Sequence, residues 1–103
     1  KVATPAAVFI PYFDRNRLHD YLQLAAALRA AGIGVELYPE PRKLAAQLKY
    51  ADRRGFRVAL IAGENEFQSG RCQLKDLARN QQHDAPMDAP SLAAAVRAVL
   101  EQQ

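Results

Sequence analysis

Short apolar runs alternate with helical stripes along most of the chain. Ala6-Ala7-Val8-Phe9-Ile10 is continuously apolar and stops at Pro11, which predicts a short strand. Asp14 offers an N-cap for a helix from about Arg15 to Ala31, with Leu18, Tyr21, Leu22, Ala25 and Leu28 on one face and Gly32 as its stop. From Ile33 to Tyr38 the period drops to two. Ile33, Val35 and Leu37 oppose Gly34, Glu36 and Tyr38, a second strand that Pro39 and Pro41 break. A second helix is expected from about Arg42 to Arg54, with Leu44, Leu48 and Ala51 as its core stripe and Gly55 after it. Val58–Ala62 is apolar at every position, as in a strand covered on both faces.

The stretch Gly63 to Leu77 changes character. Glu64 and Glu66 stand two residues apart in an expected loop at the strand's end, and Gly70 closes a turn. Arg71, Gln73 and Lys75 then alternate with Cys72 and Leu74 along a further strand, Arg71–Leu77, giving one polar and one apolar face. The turn Ala78-Arg79-Asn80 leads into a weak strand, Gln81–Ala85, placed to pair antiparallel with it. Asp88-Ala89-Pro90-Ser91 opens a last helix, Leu92 to about Glu101, with Leu92, Ala95, Val96, Val99 and Leu100 on its apolar face. The order is β-α-β-α-β-β-β-α. Helical crossovers in the first half imply parallel strands, and the second half adds a hairpin. The predicted fold class is α/β, a mixed five-stranded sheet with helices on both faces.

Composition bounds this picture without redrawing it. The 103 residues, 50% of them hydrophobic, suffice for one core and one domain. No apolar run approaches the 18 or so residues of a membrane span. The chain opens Lys1-Val2-Ala3-Thr4-Pro5, without an initiator Met or a signal-peptide pattern, and the expectation is a piece of a longer chain. A single cysteine excludes an internal disulfide framework and fits a reducing compartment. One cysteine and two distant histidines do not make a four-ligand structural zinc site.

Charge adds a direction. The net charge is only +3, yet Arg42, Lys43, Lys49, Arg53, Arg54 and Arg57 crowd one segment against a single acid, Asp52. Such an excess is the footprint of a polyanion partner, or simply a solvated helix face. Within it Lys43, Gln47, Tyr50 and Arg54 form a flank stripe at helical spacing. Cations suit phosphate, and an amide and a ring suit bases. The plainer alternative makes Tyr50 a half-buried boundary residue and the charges a solubility device. Catalytic chemistry is thinly represented. There is no phosphate-binding glycine loop after the first strand, where Pro11-Tyr12-Phe13-Asp14 stands instead. His19 and His83 have no Ser or Cys nucleophile at a recognisable spacing, and Cys72 reads as a small buried hydrophobe. Glu64 and Glu66 suit either an acid–base pair or acceptors for base amino groups.

Several segments in order carry a family resemblance: Leu28-Arg29-Ala30-Ala31-Gly32-Ile33, Gln47-Leu48-Lys49-Tyr50-Ala51-Asp52-Arg53-Arg54-Gly55, Ile61-Ala62-Gly63-Glu64-Asn65-Glu66, Leu74-Lys75-Asp76-Leu77 and Gln82. Together, over about Ala6 to Leu100, they resemble the C-terminal anticodon-binding domain of histidyl-tRNA synthetases. The threonyl, prolyl and glycyl enzymes share the domain but look less similar across Gln47–Gly55 and Leu74–Leu77. The resemblance implies a mixed five-stranded sheet flanked by three helices. It implies binding of the histidine tRNA anticodon stem-loop, with Glu66 and Lys75 facing the bases and Arg42 and Lys43 near the RNA. Face geometry adds Glu64, Arg71, Gln73, Gln47, Tyr50 and Arg54 to that surface. The implied partners are the tRNA and a catalytic domain, in a cytoplasmic homodimeric parent. ATP and magnesium belong to that catalytic domain, and no cofactor is expected in this one. The chain departs from the family in having Arg79-Asn80 where a Thr-Gly or Ser-Gly turn is usual, and in a more polar and aromatic Pro11–Arg17. With no catalytic part, it does not aminoacylate by itself. It is either a synthetase domain or a synthetase-like regulatory or protein-interaction module. A small α/β enzyme using Glu64 and Glu66 is a third reading.

Overall fold

Five strands form one sheet in the order β2-β1-β3-β4-β5. The computed structural model describes residues 6–102; Lys1–Pro5, which bear on the expected longer chain, lie outside them. β1 (Val8–Ile10) pairs in parallel with β2 (Val35–Leu37) and β3 (Val58–Ile61). β4 (Arg71–Asp76) runs antiparallel between β3 and β5 (Gln81–Pro86). The helices are α1 (Leu18–Ala30), α2 (Leu44–Arg54), α3 (Glu64–Ser69) and α4 (Ala89–Leu100). The mixed sheet, its parallel first half and its antiparallel hairpin agree with the sequence pattern, and the described residues form four α-helices rather than three.

The additional helix is α3, where the pattern predicts a loop. Six residues are too few to show an apolar period. The helix is set by its ends: the Glu66 carboxylate accepts from the Gly63 N–H at 2.7 Å, closing the N-terminal turn. Gly70 ends it at φ +75°, a conformation that disfavours side chains. At Gly63 the constraint is one of space, since a Cβ there would lie 2.9 Å from the Phe13 ring, which would have to shift.

Alternation along the strands divides the core. Val8, Ile10, Val58, Leu60, Cys72 and Leu74 face α1 and α4, while Phe9, with Ala51 and Phe56, lies on the α2 side. Burial pushes the Cys72 thiol up to about 12, so it behaves as the small hydrophobe expected of it. The buried face of α1 differs from prediction. A 3₁₀ turn, Arg15–Arg17, precedes it, and Tyr21, Leu24, Ala25 and Leu28 are buried while Leu18 and Leu22 stay 43% and 49% exposed. Tyr21 fixes this phase: its hydroxyl donates to the Ala62 carbonyl at 2.5 Å, and burial raises its pKa to about 12. In α2, Ala51 and Gln47 are buried, whereas Leu44 and Leu48 are half-buried.

Arg57, just before β3, meets Asp76, at the end of β4, in a two-pronged ion pair with N···O distances of 3.1 and 3.2 Å. The same guanidinium donates to the Val99 and Gln102 carbonyls at 2.9 Å. Asp76 is fully buried and also accepts from the Ala78 and Arg79 backbone N–H groups. Arg57 holds the Asp76 carboxyl below its ordinary value of 3.8, assisted by those N–H groups and opposed by burial. A depressed carboxylate pKa stabilises the fold fully above the unfolded-state value and loses that contribution as pH falls through the folded-state one. Asp76→Asn should therefore cost on the order of 3 kcal/mol at neutral pH. Urea titrations of both proteins at pH 7 and below pH 3 should show that difference shrinking in acid. A difference unchanged in acid would mean that the carboxylate's charge is not what stabilises the turn.

Candidate nucleic-acid interface

One half of the sheet has a face that no helix covers. α2 packs over Phe9 and Phe56, and the side chains of β4 and β5 on that side are left open. The register sets Arg71 opposite Pro86, Gln73 opposite Asp84, and Lys75 opposite Gln82. Cross-strand neighbours on one face interact, and here they form a network. Arg71 donates to Asp84 at 2.5 Å, Gln73 donates to the other oxygen of Asp84 at 2.9 Å, and Gln82 donates to Gln73 at 3.3 Å. The predicted polar row Arg71, Gln73 and Lys75 is therefore real, with its first two members held by neighbours. The Lys75 ammonium has no hydrogen-bond or ion-pair partner among the described residues.

Lys75 borders a cleft of about 300 Å³ between α2 and the β4–β5 turn. Lys49, Asp52 and Asn80 supply its other polar groups, and Leu48 and Leu77 its apolar walls. Asn80 closes the turn at φ +54°, a left-handed conformation that Asn tolerates better than most residues, so it does here what glycine does in a Ser-Gly turn.

The stripe predicted along α2 does not join this surface. Gln47 is buried. Its amide accepts from the Tyr12 N–H at 2.8 Å and donates to the Tyr12 and Arg42 carbonyls at 2.6 and 2.9 Å. It clasps the loop after β1 to the start of α2, and no part of it is offered to RNA. Tyr50 is a half-buried boundary residue, packed on Phe9 and Tyr38. Its hydroxyl donates to Glu36 and accepts from Arg54, both at 2.9 Å. Burial raises the Tyr50 pKa, with the Glu36 hydrogen bond adding to it. These contacts lie toward β2, at the opposite edge of the sheet from Lys75. Of the six-cation segment, Arg57 neutralises Asp76 and Arg42 pairs with Glu40 at 2.5 Å. Lys43, Lys49 and Arg53 have no ion-pair partner among the described residues.

The two acids also separate in role. Glu66 is turned back on Gly63, while Glu64 is exposed and accepts from Gln68 at 3.3 Å. The Glu66 carboxylate is engaged with the backbone, and the Ser69 hydroxyl donates to the Glu66 carbonyl oxygen and not to its carboxylate, so the acid–base reading gains no geometric support. A second cavity, of about 520 Å³, opens between the Phe13 loop and the start of α2, lined by Phe13, Arg15, Pro41, Arg42, Lys43 and Leu44. Arg42 and Lys43 thus share a concave basic site with Arg15, which sequence reasoning passed over as a residue inside the first helix. The β-α-β order offered a signal for it, because it brings the loops after β1 and β2 to the same end of the sheet.

Comparison with known proteins gives this surface a family. A family model described as "Anticodon binding domain" matches residues 7–98. The chain belongs to the anticodon-binding domain family. The histidine–tRNA ligase of Rhodopirellula baltica is 52% identical over 98 residues, which are 95% of this chain and 22% of that protein. That of Xanthomonas oryzae pv. oryzae is 41% identical over 90% of this chain and 19% of its own length. The crystal structure of histidyl-tRNA synthetase from Nostoc sp. PCC 7120 superposes with a TM-score of 0.88 at 31% identity, over 94% of this chain and 23% of that one. The chain thus spans about a fifth of the length of the curated relatives it matches.

Within this anticodon-binding domain the Gln47 clasp has its own test. Gln47→Ala removes three hydrogen bonds and strands the buried Tyr12 N–H, so it should destabilise the fold by on the order of 3 kcal/mol. Chemical denaturation measures it. A variant as stable as the parent would show that water or the loop replaces the clasp.

Proposed function

We propose that this chain binds the anticodon stem-loop of histidine tRNA. In this reading it serves as the anticodon-binding part of a histidine–tRNA ligase whose catalytic part lies outside this chain. ATP-dependent aminoacylation, its magnesium, and any dimer contacts would belong to that other part. The observation that carries the reading is the uncovered β4–β5 face, with Lys75 unpaired beside it, in a chain of this family whose relatives are histidine–tRNA ligases.

The geometry supports a division of labour. Arg15, Arg42 and Lys43 around one cavity suit phosphates, which position an RNA. Lys75 and the amides beside it suit base edges, which specify it. Lys43 and Asp52 are nine residues apart on α2, about 13 Å along its axis, a separation that one RNA loop bridges. Glu66 acts chiefly through its cap on Gly63, which orients α3 and the start of β4. Glu64 remains exposed at that helix's first turn.

Binding of the chain to the histidine anticodon stem-loop, and to one with a changed anticodon, is the test. The expected result is a preference for the histidine anticodon that survives added salt. Equal binding that vanishes with salt would reduce the interaction to phosphate attraction and favour the regulatory or protein-interaction alternative. Lys75→Ala should weaken binding at least several-fold without altering stability. Lys43→Ala should flatten the dependence of log affinity on log salt by about 0.7 to 0.9 per lost phosphate contact. Arg54→Ala should leave that slope unchanged, because Arg54 is engaged with Tyr50.

A further inference from the structure

β2 is an edge of the sheet, and its outer backbone groups are only partly satisfied. Gly34, Glu36 and Tyr38 turn their main-chain groups toward β1. The Val8 N–H donates to the Gly34 carbonyl and the Tyr38 N–H to the Ile10 carbonyl, with Glu36 between them in register with Phe9. Val35 and Leu37 therefore point their N–H and C=O groups away from the sheet. The Val35 carbonyl is met by Arg29, whose Nη2 donates to it at 2.9 Å. The Val35 N–H and both main-chain groups of Leu37 bond nothing among the described residues. Such groups are a template for a further strand.

The same edge has an apolar flank. Leu18, Leu22 and Arg29 stand at i, i+4 and i+11 on α1, one line along the helix, and Arg29 ends on Val35. That line borders β2. It lies across α1 from Asp20, Leu24 and Ala27, which line a groove with Phe67 and Met87. Leu18 and Leu22 are the two large hydrophobic side chains left exposed among the described residues. Leu37, on the same face of the sheet, is half-buried. Unpaired backbone and uncovered apolar side chains thus meet at one place.

We propose that this edge takes an extended segment of a different protein as an added strand, antiparallel to β2, with an arginine or lysine opposite Glu36 between two apolar residues. Leu37 exchanges both of its bonds with one residue of that segment, and the Val35 N–H donates to the residue two further along. The Arg29 cap on Val35 ends the ladder there. Both of those residues face α1, where apolar side chains meet Leu37 and Leu22. The residue between them faces α2, beside Glu36. Tyr50 donates to one oxygen of the Glu36 carboxylate at 2.9 Å, and the other oxygen has no partner among the described residues, so a cation opposite is favoured. A second copy of the chain fits poorly. Two-fold pairing centred on Glu36 sets the two carboxylates against each other. Centred on Leu37 it meets the bend at Pro39, and centred on Val35 it needs the carbonyl that Arg29 occupies. The β2 edge is the one opposite β5, so its occupation leaves the open β4–β5 face free, and the inference stands apart from the RNA-binding reading.

The probe is the peptide acetyl-Thr-Val-Arg-Val-Thr-amide, titrated to about 2 mM into isotopically labelled chain and followed by amide NMR. Saturable shifts should centre on Val35 and Leu37, with slower hydrogen exchange of those two amides. Glutamate in place of the central arginine should weaken binding about fivefold or more. Glu36→Gln keeps an acceptor for Tyr50 and should erase that preference. Leu22→Gln, at an exposed helical position, should weaken binding several-fold with the fold intact. The absence of saturable shifts at Val35 and Leu37, or a preference that survives Glu36→Gln, would overturn the inference. So would a dimer of the chain in sedimentation velocity that Leu22→Gln abolishes, since the occupant would then be a second copy. The histidine–tRNA ligase of Rhodopirellula baltica, 22% of which matches this chain, supplies the last control. If the amides of its matching strand exchange slowly without peptide, the longer protein covers the edge itself and the foreign segment is ruled out.

Discussion

The Arg57–Asp76 ion pair is the constraint on which the second half of the molecule leans. A fully buried carboxylate is costly unless its charge and its lone pairs are met. Here the Arg57 guanidinium and two backbone N–H groups meet them, with the Arg79 guanidinium at 3.9 Å beyond. The partners come from four places: the start of β3, the end of β4, the turn after β4 and, through the Arg57 contacts, the end of α4. A single polar cluster therefore sets where the hairpin turns and where the last helix ends. The turn geometry in its wake places Asn80 at a left-handed position and Leu77 against the α2 side. The cleft beside Lys75 is thus a consequence of how the buried charge is satisfied.

The Gln47 clasp plays the corresponding part in the first half. The two parallel βα units leave their loops at one end of the sheet, where backbone groups have no strand to pair with. One amide gives Tyr12 both an acceptor and a donor, as a neighbouring strand would. Tyr21 adds a third fixed point by donating to Ala62 as β3 ends. Loop, helix start and strand end are held by buried polar side chains from α1 and α2. The cations at this end, Arg15 and Lys43, are left facing outward.

The strands and three of the helices were legible in the sequence because each carries a period: continuous apolar positions in β3, alternation in β4, a stripe in α4. The polar face of β4 was legible for the same reason. α3 was not, because its stability comes from Glu66 reaching back to Gly63, a contact that six residues do not announce by pattern. The phase of α1 was misjudged because Leu18 and Leu22 extend the apolar stripe one way and Leu24 the other, and a hydrogen bond from Tyr21 chooses between them. Gln47 was misread for a related reason, while of the two readings left open for Tyr50 the structure takes the half-buried boundary one. Helical spacing finds which residues share a flank, but not whether that flank meets solvent or an aromatic cluster and a hungry loop. Arg57 and Arg42 carried weight in the charge count, yet Arg57 is paired across the fold with Asp76 and Arg42 locally with Glu40.

That last point bears on how such a domain tells one RNA from another. A cation paired within the protein must exchange one partner for another on binding, so its net contribution is small and salt-sensitive. An unpaired cation beside an unpaired acid behaves differently, since each waits for a complementary edge and penalises an edge that fails to supply it. The open β4–β5 face is wide and polar, yet most of its groups are mutually satisfied and provide a smooth, rigid floor. The unengaged polar side chains stand where that satisfaction stops, around Lys49, Asp52, Lys75 and Asn80. In the proposed reading the general attraction for phosphate comes from Arg15 and Lys43, at the other end of α2. In that reading, setting the cations and the open face at opposite ends of one helix lets affinity follow salt while recognition follows hydrogen-bond geometry, which salt screens far less.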